Sequence, residues 1–172
     1  MKIQRNAFNT YLLVALCSVW LGGCASPQRS KDAPVVRVYL EVPRDATGNQ
    51  IAVPIGRRPL FEVWVQPAPF LTEFHVKRVE VRDDKLGGYE LVLEFNRQGR
   101  WLLDEVSTAN KGRRAVVFLI SGELQHFTAA PIIKDRIGNG IMVFTPDMTR
   151  SEAETFATKM NEEEAKQKVH DY

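Results

Sequence analysis

An almost unbroken apolar run, Ala115–Ser121, followed by Gly122-Glu123 and a strand-like return over residues 124–130, constrains the fold more than any other part of the chain. Such a run suits a strand in the middle of a sheet rather than at its rim. A glycine at the first of two linking positions gives the tight turn whose twist matches paired strands. Pro131 then stops the return, because proline has no N–H to give to a ladder. The stretch SGELQH is accordingly read as a hairpin tip, and the chain must supply further strands around it.

Those strands are legible from period. Val36, Val38, Leu40 and Val42 alternate with Arg37, Tyr39 and Glu41, the pattern of a half-buried strand. Residues 51–55 and 60–65 are further candidates, placed at an edge by Pro54 and Pro59. Between the first two strands, DATGN at residues 45–49 is turn chemistry. Residues 76–81 and Tyr89–Phe95 flank DDKLGG as a hairpin, and Ile141–Phe144 gives another strand.

Two segments change to helical spacing. In residues 97–110, Gly99, Leu102, Leu103, Val106 and Ala109 fall on one side, and Lys111-Gly112 ends the helix. The second starts at Thr149-Arg150-Ser151-Glu152, a capping box whose hydroxyl and carboxylate satisfy unpaired amides. Ala153, Phe156, Ala157 and Met160 make its apolar stripe, whereas the polar residues after Asn161 are expected to fray, leaving 163–172 as a tail. The fold class is α+β: one domain over residues 35–162, with two amphipathic helices on one face of a mainly antiparallel sheet.

The N-terminus addresses the chain. Lys2 and Arg5 precede an apolar run of eleven residues, 11–21. Spanning a bilayer takes ~20 residues, so residues 1–23 read as a secretory signal removed on export. Leu21-Gly22-Gly23-Cys24 resembles the lipobox of bacterial lipoproteins. That resemblance implies a diacylglycerol on the Cys24 sulfur and cleavage just before it. Residues 24–34 follow as a polar, proline-containing tether. Cys17 leaves with the signal and Cys24 carries lipid, so no thiol remains for a disulfide, a metal or a nucleophile.

Charge removes one class of partner. The chain has 23 basic and 21 acidic residues, and the signal segment holds Lys2 and Arg5 without any acid, so the remainder is neutral. A phosphate-binding protein carries a basic surplus; Arg57-Arg58 and Arg113-Arg114 are read as solvated edges, and no nucleic acid is expected. Catalysis finds no pattern either. His75, His126 and His170 lack ligand spacing, and the first two are read as strand-surface residues. A hydrolase would need Ser121 as nucleophile, His126 as base and Asp135 or Glu123 as orienter, yet Ser121 lies outside any G-x-S-x-G elbow. Gly138-Asn139-Gly140 lacks the lysine and hydroxyl of a phosphate loop. No enzyme activity, cofactor or metal is expected.

Residues 69–160 resemble the head subdomain in the first periplasmic domain of SecD, a component of bacterial protein export. The pattern is carried by LVLEFNRQGRWLLDEVSTANKG, then GRRAVVFLISGELQHFTAAPI, then IGNGIMVFTPDMTRSEAETFATKMN. Two departures stand out. Ser121 occupies the position before the turn glycine where the family often has aspartate, and no segment of this chain matches SecD's membrane helices. The resemblance thus implies a head that contacts polypeptide or envelope partners, without motor activity. The expected protein is a lipid-anchored, non-catalytic module facing the periplasm. Its partners would be the export machinery or envelope polypeptides, and its membrane contact the N-terminal lipid. Ala25-Ser26, lacking an aspartate, leans towards the outer membrane. The alternative is a structural or stress-related lipoprotein without a dedicated ligand. One candidate partner surface is the connection 132–140, with Ile132, Ile133, Lys134 and Arg136; the other reading folds both isoleucines under the sheet.

Overall fold

A computed structural model describes residues 33–44, 48–58 and 61–170, and of residues 168–170 only the backbone. In order they form β1 (Val35–Leu40), β2 (Ile51–Pro54), β3 (Glu62–Val65), β4 (Leu71–Thr72) and a single 3-10 turn, Glu73–His75. There follow β5 (Val76–Asp83), β6 (Tyr89–Phe95), α1 (Arg97–Ala109), β7 (Ala115–Ser121), β8 (Leu124–Ala129), β9 (Ile141–Phe144) and α2 (Arg150–His170). The signal segment, Cys24 and the tether to residue 32 lie outside the described residues, as do part of the DATGN turn and Pro59-Leu60. Ala33 and Pro34, just ahead of β1, are already buried.

The architecture is α+β with antiparallel strand pairing. In place of one sheet there are three, ordered β4-β1-β7-β8, β2-β3 and β5-β6-β9. The apolar run that commits the chain to a sheet is β7, flanked by β1 and β8. Both its faces are covered, which is why it shows no alternation. Val117 and Leu119 join Val36 and Val38 of β1 in the main core, against Leu91 and Leu93 of β6 and Met142 and Phe144 of β9. Val116 points the other way, into a second cluster with Val53 of β2, Ile55 just after it, and Val63 and Val65 of β3. Each fully buried aliphatic side chain contributes roughly 1.5–3 kcal/mol relative to exposure.

The helices close the main core with Leu103 from α1 and with Ala153, Phe156, Ala157 and Met160 from α2. The stripe expected on α1 is rotated: Gly99, Leu103 and Ser107 are buried, while Ala109 is exposed. A serine serves there because its hydroxyl donates to Asp104 O and accepts from Ile137 N–H at 2.8 Å. Gly99 marks the closest approach of α1 to the 3-10 turn. A Cβ on it would stand 2.8 Å from His75 Cβ, 3.0 Å from the His75 carbonyl and 3.0 Å from Phe95 Cβ.

At the start of α2 the capping box forms as expected. Thr149 N–H donates to Glu152 Oε2 at 2.7 Å, and Glu152 N–H donates to Thr149 Oγ1 at 3.3 Å. The helix does not stop at Asn161 but runs to His170, a correction to the tail expected over 163–172. Residues 162–168 are all Glu, Lys, Gln or Ala, good helix formers, with Lys166 reaching Glu163 at 2.7 Å.

Candidate functional site

The residues singled out for catalysis are not brought together. Ser121 ends β7 at the hairpin turn, where Gly122 takes φ +62. His126 Nε2 is within 2.9 Å of the Asp147 carbonyl, and no hydrogen bond joins it to Ser121 among the described residues. Asp135 pairs with Lys111 at 2.9 Å. His75 is not on a strand surface, as expected, but in the 3-10 turn, half-buried. Thr72 N–H donates to its Nδ1 at 3.0 Å. Burial pushes this ring below its ordinary pKa, against opposing effects of Thr72 and Glu73. Among the described residues no group of His, Cys, Asp and Glu is arranged to hold a metal.

The connection 132–140 is braced rather than loose. Arg136 makes a bidentate pair with Asp104 at 2.5 and 2.8 Å, and hydrogen bonding to that guanidinium holds the Asp104 carboxyl below its usual range. Arg100 Nε donates to the Gly138 carbonyl at 2.8 Å. Ile133 is only 3% exposed and belongs to the main core, so it is no part of a contact surface. Its N–H donates to Arg113 O and its carbonyl accepts from Gly112 N–H, which turns the side chain inward. Ile132, Lys134 and Arg136 do face solvent.

A different surface has the shape of a binding site. An open groove of about 550 Å³ lies where the corner after β2, strand β8 and the β9–α2 connection meet, within the size range of ligand sites. Gly56 turns the corner with φ +88, and its N–H donates to Phe127 O at 2.7 Å. A Cβ here would stand 2.9 Å from Asp147 Oδ2. That oxygen accepts from Arg57 N–H at 2.6 Å, and Arg57 Nη2 reaches Glu152 Oε2 at 2.5 Å. The corner is thereby tied to the cap of α2.

Ile55 and Pro146 are apolar lining, and Phe61 forms a wall that is 44% exposed. The Arg114 guanidinium lies 5.4 Å from the Phe61 ring centroid, a cation–π distance. Thr128 also lines the groove. It is 2% exposed, and its hydroxyl has no hydrogen-bond partner among the described residues. Leaving a buried hydroxyl unpaired costs ~1–3 kcal/mol. The arrangement suits an apolar group under a rim carrying Arg57 and Arg58.

Reading Arg57-Arg58 as a plain solvated edge missed this groove. A glycine and two arginines directly after a strand were its local trace; the remaining lining comes from residues far along the chain.

No family model and no curated protein matches the chain. Solved structures do. One is of SecDF, described as a membrane component that enhances protein export: TM-score 0.54, 17% identity, covering 79% of this chain and 70% of that one. Another is SecDF in a super-membrane-facing form: TM-score 0.55, 18% identity, 76% of this chain and 19% of that one. The likeness reaches over a longer stretch than residues 69–160, so it takes in strands on the N-terminal side of Pro69. The chain has a SecD-like α+β fold.

Proposed function

We propose that this protein is a lipid-anchored, non-catalytic component of the bacterial envelope, facing the periplasm, whose SecD-head-like domain binds extended polypeptide delivered to or by the export machinery. The observation that carries the reading is the fold shared with SecDF across more than three-quarters of the chain. The groove supports it: an apolar lining accepts a side chain. Ile132, bridged to Arg114 beside Phe61, extends the contact surface, with Lys134 and Arg136 at its border. Anchorage rests on Cys24 at the end of the lipobox-like sequence. No helix among the described residues is long and apolar enough to cross a membrane. The outer membrane is the favoured site, from Ala25-Ser26.

Photo-crosslinking in cells tests the reading. A benzophenone side chain at position 61 or 132 should yield adducts with envelope or exported polypeptides, and one at the distant Leu86 should not. Absence of adducts from both positions would remove polypeptide binding as the function.

A further inference from the structure

The outer strand of every sheet presents backbone groups that another chain can pair with unless something closes it. Here most edges carry such a device. On β8, Gly56 N–H donates to Phe127 O at 2.7 Å and Asp147 N–H donates to Thr128 O at 2.9 Å. On β3, Val42 N–H donates to Trp64 O at 2.8 Å. β4 is two residues long. On β5 the amide of Asn161, reaching down from α2, brackets one residue: Oδ1 accepts from Val79 N–H and Nδ2 donates to Val79 O, each at 2.9 Å. On β2, Ile55 N–H donates to Phe61 O, so Ala52 and Pro54 are the residues whose backbone faces outward. Pro54 has no N–H to offer.

β9 is closed at one backbone group only. Phe95 N–H donates to Gly140 O at 2.9 Å, and the register pairs Leu93 with Met142 and Leu91 with Phe144. Bonded pairs alternate along an antiparallel ladder, so the backbone groups of Ile141 and Val143 point away from β6. Asn139 Oδ1 takes the Ile141 N–H at 3.0 Å. The Ile141 carbonyl and both backbone groups of Val143 make no hydrogen bond among the described residues. Beside them Ile141, 37% exposed, and Val143 share a face with Val92 of β6 as a small apolar strip.

We infer that the outer edge of β9 receives a short extended segment of another polypeptide as a fourth strand, bonded to Val143 N–H and C=O, with an apolar side chain over Ile141 and Val143. This rests on the polypeptide-binding reading above and specifies its mode, strand addition, in which main-chain bonds give affinity with little demand on sequence. A second copy of the chain is a poor occupant. Four residues of edge span ~13 Å at ~3.3 Å each, and so short a strip does not by itself build the ~800 Å² per partner that a stable dimer takes. A transient hold on a passing segment needs no more.

The test measures fluorescence anisotropy of the full chain in detergent with a labelled peptide of alternating valine and threonine. A second peptide, N-methylated at every residue, keeps the side chains but has no N–H on either edge with which to pair. The methylated peptide should bind at least ten-fold more weakly. Val143→Pro should weaken binding of the unmethylated peptide as much, with far-UV circular dichroism and melting temperature unchanged, since the Val143 N–H serves no internal bond. Equal affinity for the two peptides, or wild-type binding by Val143→Pro, would overturn the edge while leaving groove-mediated binding intact. No binding of either peptide would overturn both. A dimer in sedimentation that Val143→Pro dissociates would assign the edge to a second copy instead.

Discussion

Gly99 is worth a substitution because its neighbours cannot give way cheaply: two of the three atoms a Cβ would meet within 3.0 Å belong to β-carbons and one to a backbone carbonyl. Alanine ordinarily favours a helix over glycine by up to ~1 kcal/mol. Here overpacking should win, at ~1–3 kcal/mol. Gly99→Ala is expected to lower the melting temperature by several degrees; an unchanged or higher value would show that α1 can move away from His75. Phe156, fully buried in the main core, gives the opposite test. Phe156→Ala should leave a cavity costing ~3–5 kcal/mol, read from denaturant midpoints, and a loss below ~1 kcal/mol would contradict its placement. At this scale the sequence is only partly informative. Glycine at 99 is visible in the apolar stripe, but not that it faces His75. Ile132 and Ile133 are chemically identical, and only the backbone bonds of Ile133 to Gly112 and Arg113 decide which one points inward.

The cap of α2 joins local and distant chemistry. Glu152 accepts from the N–H and hydroxyl of Thr149 and from Arg57 across the groove, in that order of effect, which brings its carboxyl from 4.5 to about 2. A depressed carboxylate stabilises the fold fully above its unfolded pKa and loses that contribution as pH falls through its folded one. The contribution from Glu152 is thus complete above about pH 4.5 and fades towards pH 2. Its side chain is 38% exposed, so solvent moderates the size of the effect. Glu152→Gln should be less stable than wild type at pH 6, and the gap should narrow as pH falls from 5 to 2. A gap constant with pH would exclude the carboxylate charge as the cause. Thr149→Ala should cost ~1 kcal/mol through the lost cap. Caps, turns and strand periods are local, so these elements can be read from sequence. The division into three sheets cannot, because it depends on pairings such as Val35 with Ile120. The continuation of α2 past Asn161 was hidden for another reason: a solvated helix needs no apolar stripe.

Three segments far apart in the chain build the groove, which explains why no motif announces it. If it takes peptide side chains, Phe61→Ala should weaken peptide binding several-fold, and Ser121→Ala with His126→Ala should leave it nearly unaltered. A hydrolysis abolished by Ser121→Ala would reverse the non-catalytic assignment. Membrane attachment is tested separately: Cys24→Ser should end labelling by a clickable fatty acid, and label kept on that variant would refute the lipid anchor. The position of β1 bears on what such an anchor could transmit. This first strand of the domain lies between β4 and β7, and six of its residues are in register with β7. Ladder bonds run perpendicular to antiparallel strands, so tension applied along the axis of β1 is shared by the whole ladder at once. A pull that would unzip a terminal hairpin one pair at a time must here shear the middle of a sheet. Were the chain ahead of Val35 to end in a lipid, a load along that axis would meet all six pairs together.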